Sequence, residues 1–364
     1  MRDAIENIRL SIRKVSEKAA EQENIVRFDI GQPSFDTPEH VKEAAKEGLK
    51  HRQGYSPVAG IEELREAVAR EESMKKGVEV GKEQVMVATG GMGAIYSVMA
   101  AELGPGDQAL FNDPCWGPYK LMSGVNGNRF KQERFFDQDG VTPGTREALK
   151  QSELVIVNTP QNPTGRMLSK QQAKEFAELA DDHGAELVSD EVYHRITFDR
   201  EHHSPAAYAE DPVIIGSTSK NHAMTGWRIG WAVAGKEKLE QFAKVARGTT
   251  AAPPRISQYA AVEALENDSH VEEMRSTYEK RRDVLVERMK ELGWDFQRPE
   301  GAIYAFPDTG RDSWELVMDM IEEGVAMVPG EPSGPGSDTN VRICFGSSTV
   351  EEINRGFDIL EEKL

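Results

Sequence analysis

Between residues 85 and 234 the chain repeats one pattern: a short apolar run, a loop rich in glycine, proline or asparagine, then a stretch of helical periodicity. Val85-Met86-Val87-Ala88-Thr89 leads through Gly90-Gly91-Met92-Gly93 into a helix predicted over 94–103, and Gly104-Pro105-Gly106 turns the chain into a strand over 108–112. Leu154-Val155-Ile156-Val157-Asn158 ends in a Pro/Asn/Gly loop. Ser169 caps the next helix, Gly184 stops it, and a strand over 186–190 follows. Val213-Ile214-Ile215-Gly216 then delivers Ser217-Thr218-Ser219-Lys220, and 228–234 is the last run. Continuous apolar runs bounded by turn formers are strands buried on both faces, and crossovers through helices make such a sheet largely parallel. The expected fold class is α/β, a mostly parallel sheet covered by helices.

The flanks differ in character. Ile5, Ile8, Ile12 and Val15 are spaced like one face of a helix, and Thr37-Pro38 reads as an N-cap followed by proline at the first helical position, with a helix to about Lys50. After the loop 54–60, Ile61, Leu64 and Val68 mark a helix that Gly77 stops. Past Arg247, Ala251-Ala252-Pro253-Pro254 breaks the chain, and one long helix is predicted over 257–292, ended by Gly293. Short strands and helices follow, closing on an amphipathic helix marked by Ile353, Phe357, Leu360 and Leu364. The expected division is a large domain over 40–250 and a smaller α+β domain made of 1–39 with 251–364.

With 44 Lys+Arg against 62 Asp+Glu, the net charge of −18 argues against nucleic acid or an anionic membrane as a partner. The two cysteines, Cys115 and Cys344, read as free buried thiols of a reducing compartment, and the expected location is cytoplasmic. Residues 1–20 lack the apolar core of a signal peptide, and no run is long enough to span a membrane. No zinc spacing or H-E-x-x-H occurs, so no metal is expected.

In open α/β sheets ligands gather beyond the carboxyl ends of the strands, so the residues that end the strands carry the functional argument. Lys220 arrives where a buried strand ends. An ammonium there is costly unless paired or deprotonated, and a lysine of lowered pKa suits Schiff-base chemistry. Arg228, between Trp227 and Ile229, can hold a phosphate through two bonds. Gly90-Gly91-Met92-Gly93 opens a helix with unencumbered N–H groups, which suits the same anion, although it reads equally as a tight turn. Together these suggest a phosphorylated aldehyde cofactor. Trp116 can stack on a flat ring or fill a core. Asn162 is an amide donor in a turn-rich loop, and Asp190 is either an N-cap or a carboxylate that keeps a ring nitrogen protonated. Tyr193 follows one turn later. Arg342 alternates with Val341, Ile343 and Phe345, on a solvated sheet face or as a carboxylate anchor.

With Asn162-Pro163-Thr164-Gly165, Asp190-x-x-Tyr193, Ser217-x-Ser219-Lys220 and Arg228 in this order, the chain resembles the class I/II aminotransferases, pyridoxal-phosphate enzymes of fold type I. The likeness runs from Gly31-Gln32-Pro33-Ser34-Phe35 to Arg342. It implies that Lys220 forms the Schiff base with pyridoxal phosphate and shuttles the substrate proton, and that Asp190 pairs with the pyridine nitrogen. Asn162 and Tyr193 then bond the ring oxygen, Trp116 stacks, and Gly91, Met92, Ser217 and Arg228 form the phosphate cup. Tyr55 matches a tyrosine that reaches the other subunit's phosphate, implying a homodimer with shared sites. Arg342, helped by the backbone of Gly31, would hold the substrate carboxylate. The implied reaction moves an amino group from an L-amino acid to a 2-oxo acid.

Gly90 and Met92 offer only backbone contacts where relatives often have a hydroxyl, and the loop 330–334 lacks an aromatic residue that many relatives carry. For a dicarboxylic substrate, Arg9, Arg13 or Lys14 would be the nearby cations. A β-lyase acting on the same cofactor needs the same Lys220 and Asp190. A ligand-sensing module behind a helix-turn-helix domain would need a basic N-terminal domain, for which Gly31 falls too early.

Overall fold

The structure is a computed structural model describing residues 11–76, 79–137 and 140–364. In chain order its elements begin with α1 (Ser11–Ala20), β1 (Val26–Arg27), α2 (Glu39–Gly48), α3 (Glu62–Lys76), β2 (Val85–Thr89), α4 (Gly90–Glu102), β3 (Gln108–Asn112), α5 (Pro118–Asn126) and β4 (Arg129–Glu133). A small hairpin, β5 (Phe136–Asp137) and β6 (Gly140–Val141), precedes α6 (Pro143–Leu149), β7 (Leu154–Asn158), α7 (Lys170–His183), β8 (Glu186–Asp190) and β9 (Val213–Ser217). Then come α8 (Thr218–Asn221), β10 (Ile229–Val233), α9 (Lys236–Thr249), α10 (Arg255–Glu266) and α11 (Ser269–Glu291). The chain ends with β11 (Tyr304–Ala305), α12 (Ser313–Glu322), β12 (Val325–Ala326), β13 (Val328–Pro329), β14 (Val341–Cys344) and α13 (Val350–Lys363). The expected helical face at Ile5 and Ile8 and the stop at Gly77 lie outside the described residues.

The central sheet has seven strands in the order β2-β10-β9-β8-β7-β3-β4, all parallel except β10, which runs against both neighbours. Leu154 to Val157 are all buried, as an apolar run covered on both faces requires. Val98, Phe111 and Phe242 pack on one face. On the other face Leu64, Val68 and Trp231 form one cluster, and Phe135, Phe176 and Leu187 form another. Ser169 caps α7 in a reciprocal box with Gln172, and Gly184 ends it at φ 68°, as the sequence predicts.

A second core gathers Phe28, Leu285, Phe345 and Phe357 around the three-stranded sheet β11-β14-β13 and the parallel pair β1-β12. Two local expectations need correction. The long helix predicted over 257–292 is two helices, broken at Asn267 and Asp268, and α10 buries Ala260, Ala261 and Ala264 with the central-sheet cluster. Thr37 does not cap α2. Its hydroxyl donates to Ala223 O (2.8 Å) and accepts from Trp227 Nε1 (3.0 Å), so a tertiary contact near the Lys220 turn takes the group that local pattern assigned to a cap.

Candidate active site

Strands β2, β3, β7, β8 and β9 end on one edge of the sheet, and beyond that edge lies a cavity of about 910 Å³. Every residue expected at the site lines it except Tyr55, which is 99% exposed on the loop before Gly60.

Lys220 sits in the single-turn α8, just past the end of β9. Ser217 turns the chain there, its Oγ accepting from Ser219 N (3.0 Å) and donating to Ile229 O (2.8 Å). Burial pushes the Lys220 ammonium down to about 8, against a smaller upward pull from Cys344, and the Arg342 and Arg228 cations add to the lowering. Its Nζ donates to the carbonyl of Gly31.

Asp190 ends β8, paired in register with Asn158 of β7, and is 3% exposed. Desolvation raises its carboxyl to about 6, opposed by hydrogen bonds from the Tyr119 hydroxyl and from Val192 N (3.3 Å). The next residue, Glu191, points away into a buried ion pair with Lys75 (2.7 Å), which also meets Glu72 (2.5 Å), so the strand end is anchored from behind.

Arg228 adopts a left-handed backbone (φ 57°) that turns its guanidinium back toward the start of α4, with Nη1 donating to Thr225 O (2.8 Å). A Cβ on Gly90 would meet Arg228 Nη2 at 2.4 Å, so only glycine allows this approach. Thr89 stands at the N-cap of α4 without a side-chain bond to the first N–H groups, and Gly91 and Met92 in that first turn line the same cavity as Arg228. Trp116 stands edge-on to Tyr119, 5.3 Å between centroids. Asn162 is fixed by its N–H donating to Asn158 Oδ1 (2.7 Å).

Arg342 is 8% exposed rather than solvated, because β14 is covered on the face that alternation assigned to solvent. Its Nη2 donates to Asp29 O (3.1 Å), and its Nε has no hydrogen-bond partner among the described residues. Tyr193 donates to or accepts from Tyr304 at 3.0 Å. Tyr119 and Tyr304 escaped sequence reasoning. Tyr304 lies in the apolar run Ala302-Ile303-Tyr304-Ala305 and reads there as core, and the one local sign for Tyr119 is its place one turn after Trp116.

Of the expected distal cations, Arg9 and the side chain of Arg13 lie outside the described residues, and Lys14 is exposed away from the cavity. The cavity cations are Lys220, Arg228, Arg342, Arg27 and Lys120. Arg27 is held on Asp29 by two bonds of 2.7 and 2.9 Å, while Lys120 makes no ion pair or side-chain hydrogen bond among the described residues.

The residues fit a phosphorylated pyridine aldehyde: a buried lysine of lowered pKa for the aldehyde, an uncapped helix start beside an arginine for the phosphate, and a buried carboxylate for a ring cation. Fold and cavity therefore define a Schiff-base enzyme of fold type I. Residues 23–360 match Aminotransferase class I and II, and the chain belongs to that family. It is 37% identical to the aspartate/prephenate aminotransferase of Thermus thermophilus over 89% of this chain and 87% of that one. It is 35% identical to aromatic-amino-acid aminotransferase 2 of Thermococcus litoralis over 97% and 95% of the two chains. The solved structure of Thermus thermophilus aspartate aminotransferase with maleate superposes with a TM-score of 0.92 at 34% identity, covering 97% of this chain and 96% of that one. This protein is a pyridoxal-phosphate-dependent aminotransferase. The names of these relatives do not favour the β-lyase alternative. Among the described residues no helix is long and apolar enough to cross a membrane.

Proposed function

We propose that this enzyme moves the amino group of an L-amino acid with Lys220 as its proton shuttle, and that a dicarboxylic amino acid or 2-oxo acid is one of its substrates. The observation that carries the reading is the convergence of Lys220, Asp190, Arg228 and Arg342 on one cavity. The chemistry supplied by pyridoxal phosphate when bound is that of an aldehyde carbon open to amines and a cationic ring able to withdraw electrons. Arg228 and the N–H groups of Gly91 and Met92 would hold the phosphate, joined by the Ser217 hydroxyl once its proton turns from Ile229 O, and Asp190 would keep the proton on the ring nitrogen. Trp116 covers the ring, while Asn162 and Tyr193 donate to its oxygen. Arg342, with the backbone near Gly31, binds the α-carboxylate and so sets which bond at Cα is exposed to Lys220. With a pKa of about 8, roughly one Lys220 in ten is neutral at pH 7 before the cofactor binds. With the cofactor bound, Nζ would take the substrate's Cα proton and return it.

Support for a dicarboxylic substrate is Lys120, a cavity cation that makes no side-chain hydrogen bond or ion pair among the described residues and whose charge acts on Asp113, while Glu331 on the same cavity is engaged by the Trp314 indole (3.0 Å). Replacing Lys120 by methionine is expected to raise KM for aspartate and glutamate about tenfold and to leave KM for alanine or phenylalanine within twofold. Equal changes for both classes would remove Lys120 from the distal end.

The same reading includes a homodimer in which Tyr55 reaches the partner's phosphate, supported by its full exposure and by Met92 and Phe130, exposed at 43% and 40% on the cavity wall. It also includes a smaller domain of residues 1–39 with 251–364 beside a larger one of residues 40–250. A cytoplasmic location is supported by two free, buried cysteines. The deciding experiment follows the absorbance of the cofactor-loaded protein as single amino acids are added without a 2-oxo acid. Stoichiometric release of one 2-oxo acid with conversion of the cofactor to its amine form is expected. Accumulation of ammonia and pyruvate would overturn the reading.

A further inference from the structure

Tyr304 touches the residues that handle the two ends of the proposed reaction, and its two chemical parts touch different ones. It is 2% exposed and pairs across the small sheet with Cys344, two residues from Arg342 and therefore on the same face. Its ring lies under the Arg342 guanidinium, whose central carbon is 4.8 Å from the ring centroid. Its hydroxyl is 3.0 Å from the Tyr193 hydroxyl and 3.4 Å from Gly31 O. The same carbonyl accepts from Lys220 Nζ. A Cβ on Gly31 would stand 2.6 Å from the Tyr304 hydroxyl, so with Tyr304 in this position the residue at 31 has no room for a side chain.

A hydroxyl has one proton to give. Gly31 O at 3.4 Å is a long acceptor, so the stronger partner for Tyr304 is the Tyr193 oxygen at 3.0 Å. When Tyr304 donates there, Tyr193 keeps its own proton free to point into the cavity, and accepting one hydrogen bond strengthens it as a donor of another. The ring acts separately. A guanidinium stacked on an aromatic face is held in one plane, and a planar fork binds a carboxylate through two bonds only when that plane is fixed.

We propose that Tyr304 is a positioning residue with two separable roles: its hydroxyl makes Tyr193 a donor into the cavity, and its ring holds Arg342 in the plane that receives the substrate carboxylate. This rests on the site roles proposed above for Tyr193 and Arg342. The hydroxyl is removed by Tyr304→Phe and the ring by Tyr304→Leu. For Tyr304→Phe, the pH midpoint of the lysine-bound cofactor's absorbance shifts by half a unit or more, while KM for α-amino acids moves less than about twofold. In the cofactor-free protein the pH dependence of Lys220 labelling by trinitrobenzenesulfonate stays near wild type, because Lys220 keeps its bond to Gly31. For Tyr304→Leu, KM for α-amino acids rises about tenfold, and amines without a carboxylate are converted at an unchanged ratio to wild type. Thermal melting of each variant checks that the fold is retained, and the Tyr304→Phe arm stands if the leucine variant unfolds. A Tyr304→Phe pH profile that superposes on wild type, or a folded Tyr304→Leu protein with unchanged KM, overturns the assignment. Failure of the wild type itself to convert any amino donor would instead overturn the reading it rests on.

Discussion

The Lys220→Met protein is expected to fold, to lose transamination by at least ~10⁴-fold, and in its cofactor-free form to be more stable than the wild type. Loss of activity follows from removing the nitrogen that carries the proton to and from Cα. The gain in stability has a separate cause. Burial holds Lys220 near 8 in the folded protein, whereas the unfolded chain titrates near 10.5. Below pH 8 both states bind the proton and the folded state carries it in a desolvated cavity, so the cost is fully present there. As pH rises from 8 to 10.5 the folded lysine is neutral while the unfolded one still binds its proton, and the cost fades. A gap of that size corresponds to at most roughly 3 kcal/mol. Urea denaturation of both cofactor-free proteins at pH 7 and pH 10 measures it: the methionine variant leads at pH 7 and the lead shrinks at pH 10. A lead independent of pH, or turnover near the wild-type rate, would sink the role given to Lys220.

Replacing Arg342 with alanine should raise KM for every α-amino acid by ~100-fold or more, since a buried charge-assisted pair is worth roughly 3 kcal/mol when one partner is removed. The expectation rests on an arginine that is 8% exposed with Nε unpartnered among the described residues, so no solvent and no neighbouring carboxylate already satisfies that edge. The informative control is a simple amine. Lacking a carboxylate, it should be converted equally by wild type and variant, and an equal loss for amine and amino acid would mean that the substitution damages the site generally. Tyr304 would lose the cation over its ring in the same variant, so melting curves belong beside the kinetics.

Much of the sheet is legible in the sequence because continuous apolar runs between turn formers have one economical solution, a parallel sheet with helices on both faces. The residues that end those runs, Lys220 and Asp190 among them, follow from the same reading, since a charged side chain at the end of a buried strand is locally anomalous. Arg342 is legible only as an alternation, because Val341, Ile343 and Phe345 tell that it faces the other way without telling what covers that face. The break at Asn267 and Asp268 was missed because the helical residues on either side keep a plausible period, while α10 is fixed by packing against α2 and α3.

The sequence by itself determined the strand-loop-helix order, the strand-end chemistry, and the family whose motifs those residues match. Only the tertiary structure decided that Asp190 is bonded by Tyr119, that Thr37 serves the Lys220 turn instead of a helix cap, that Lys120 lines the cavity, and that Tyr304 joins Tyr193 to Arg342. The reason is range. Local pattern reports how a side chain relates to its own strand or helix, whereas each of these contacts joins segments tens to hundreds of residues apart, and a buried tyrosine or threonine looks the same in sequence whether its hydroxyl meets a backbone carbonyl or a catalytic neighbour.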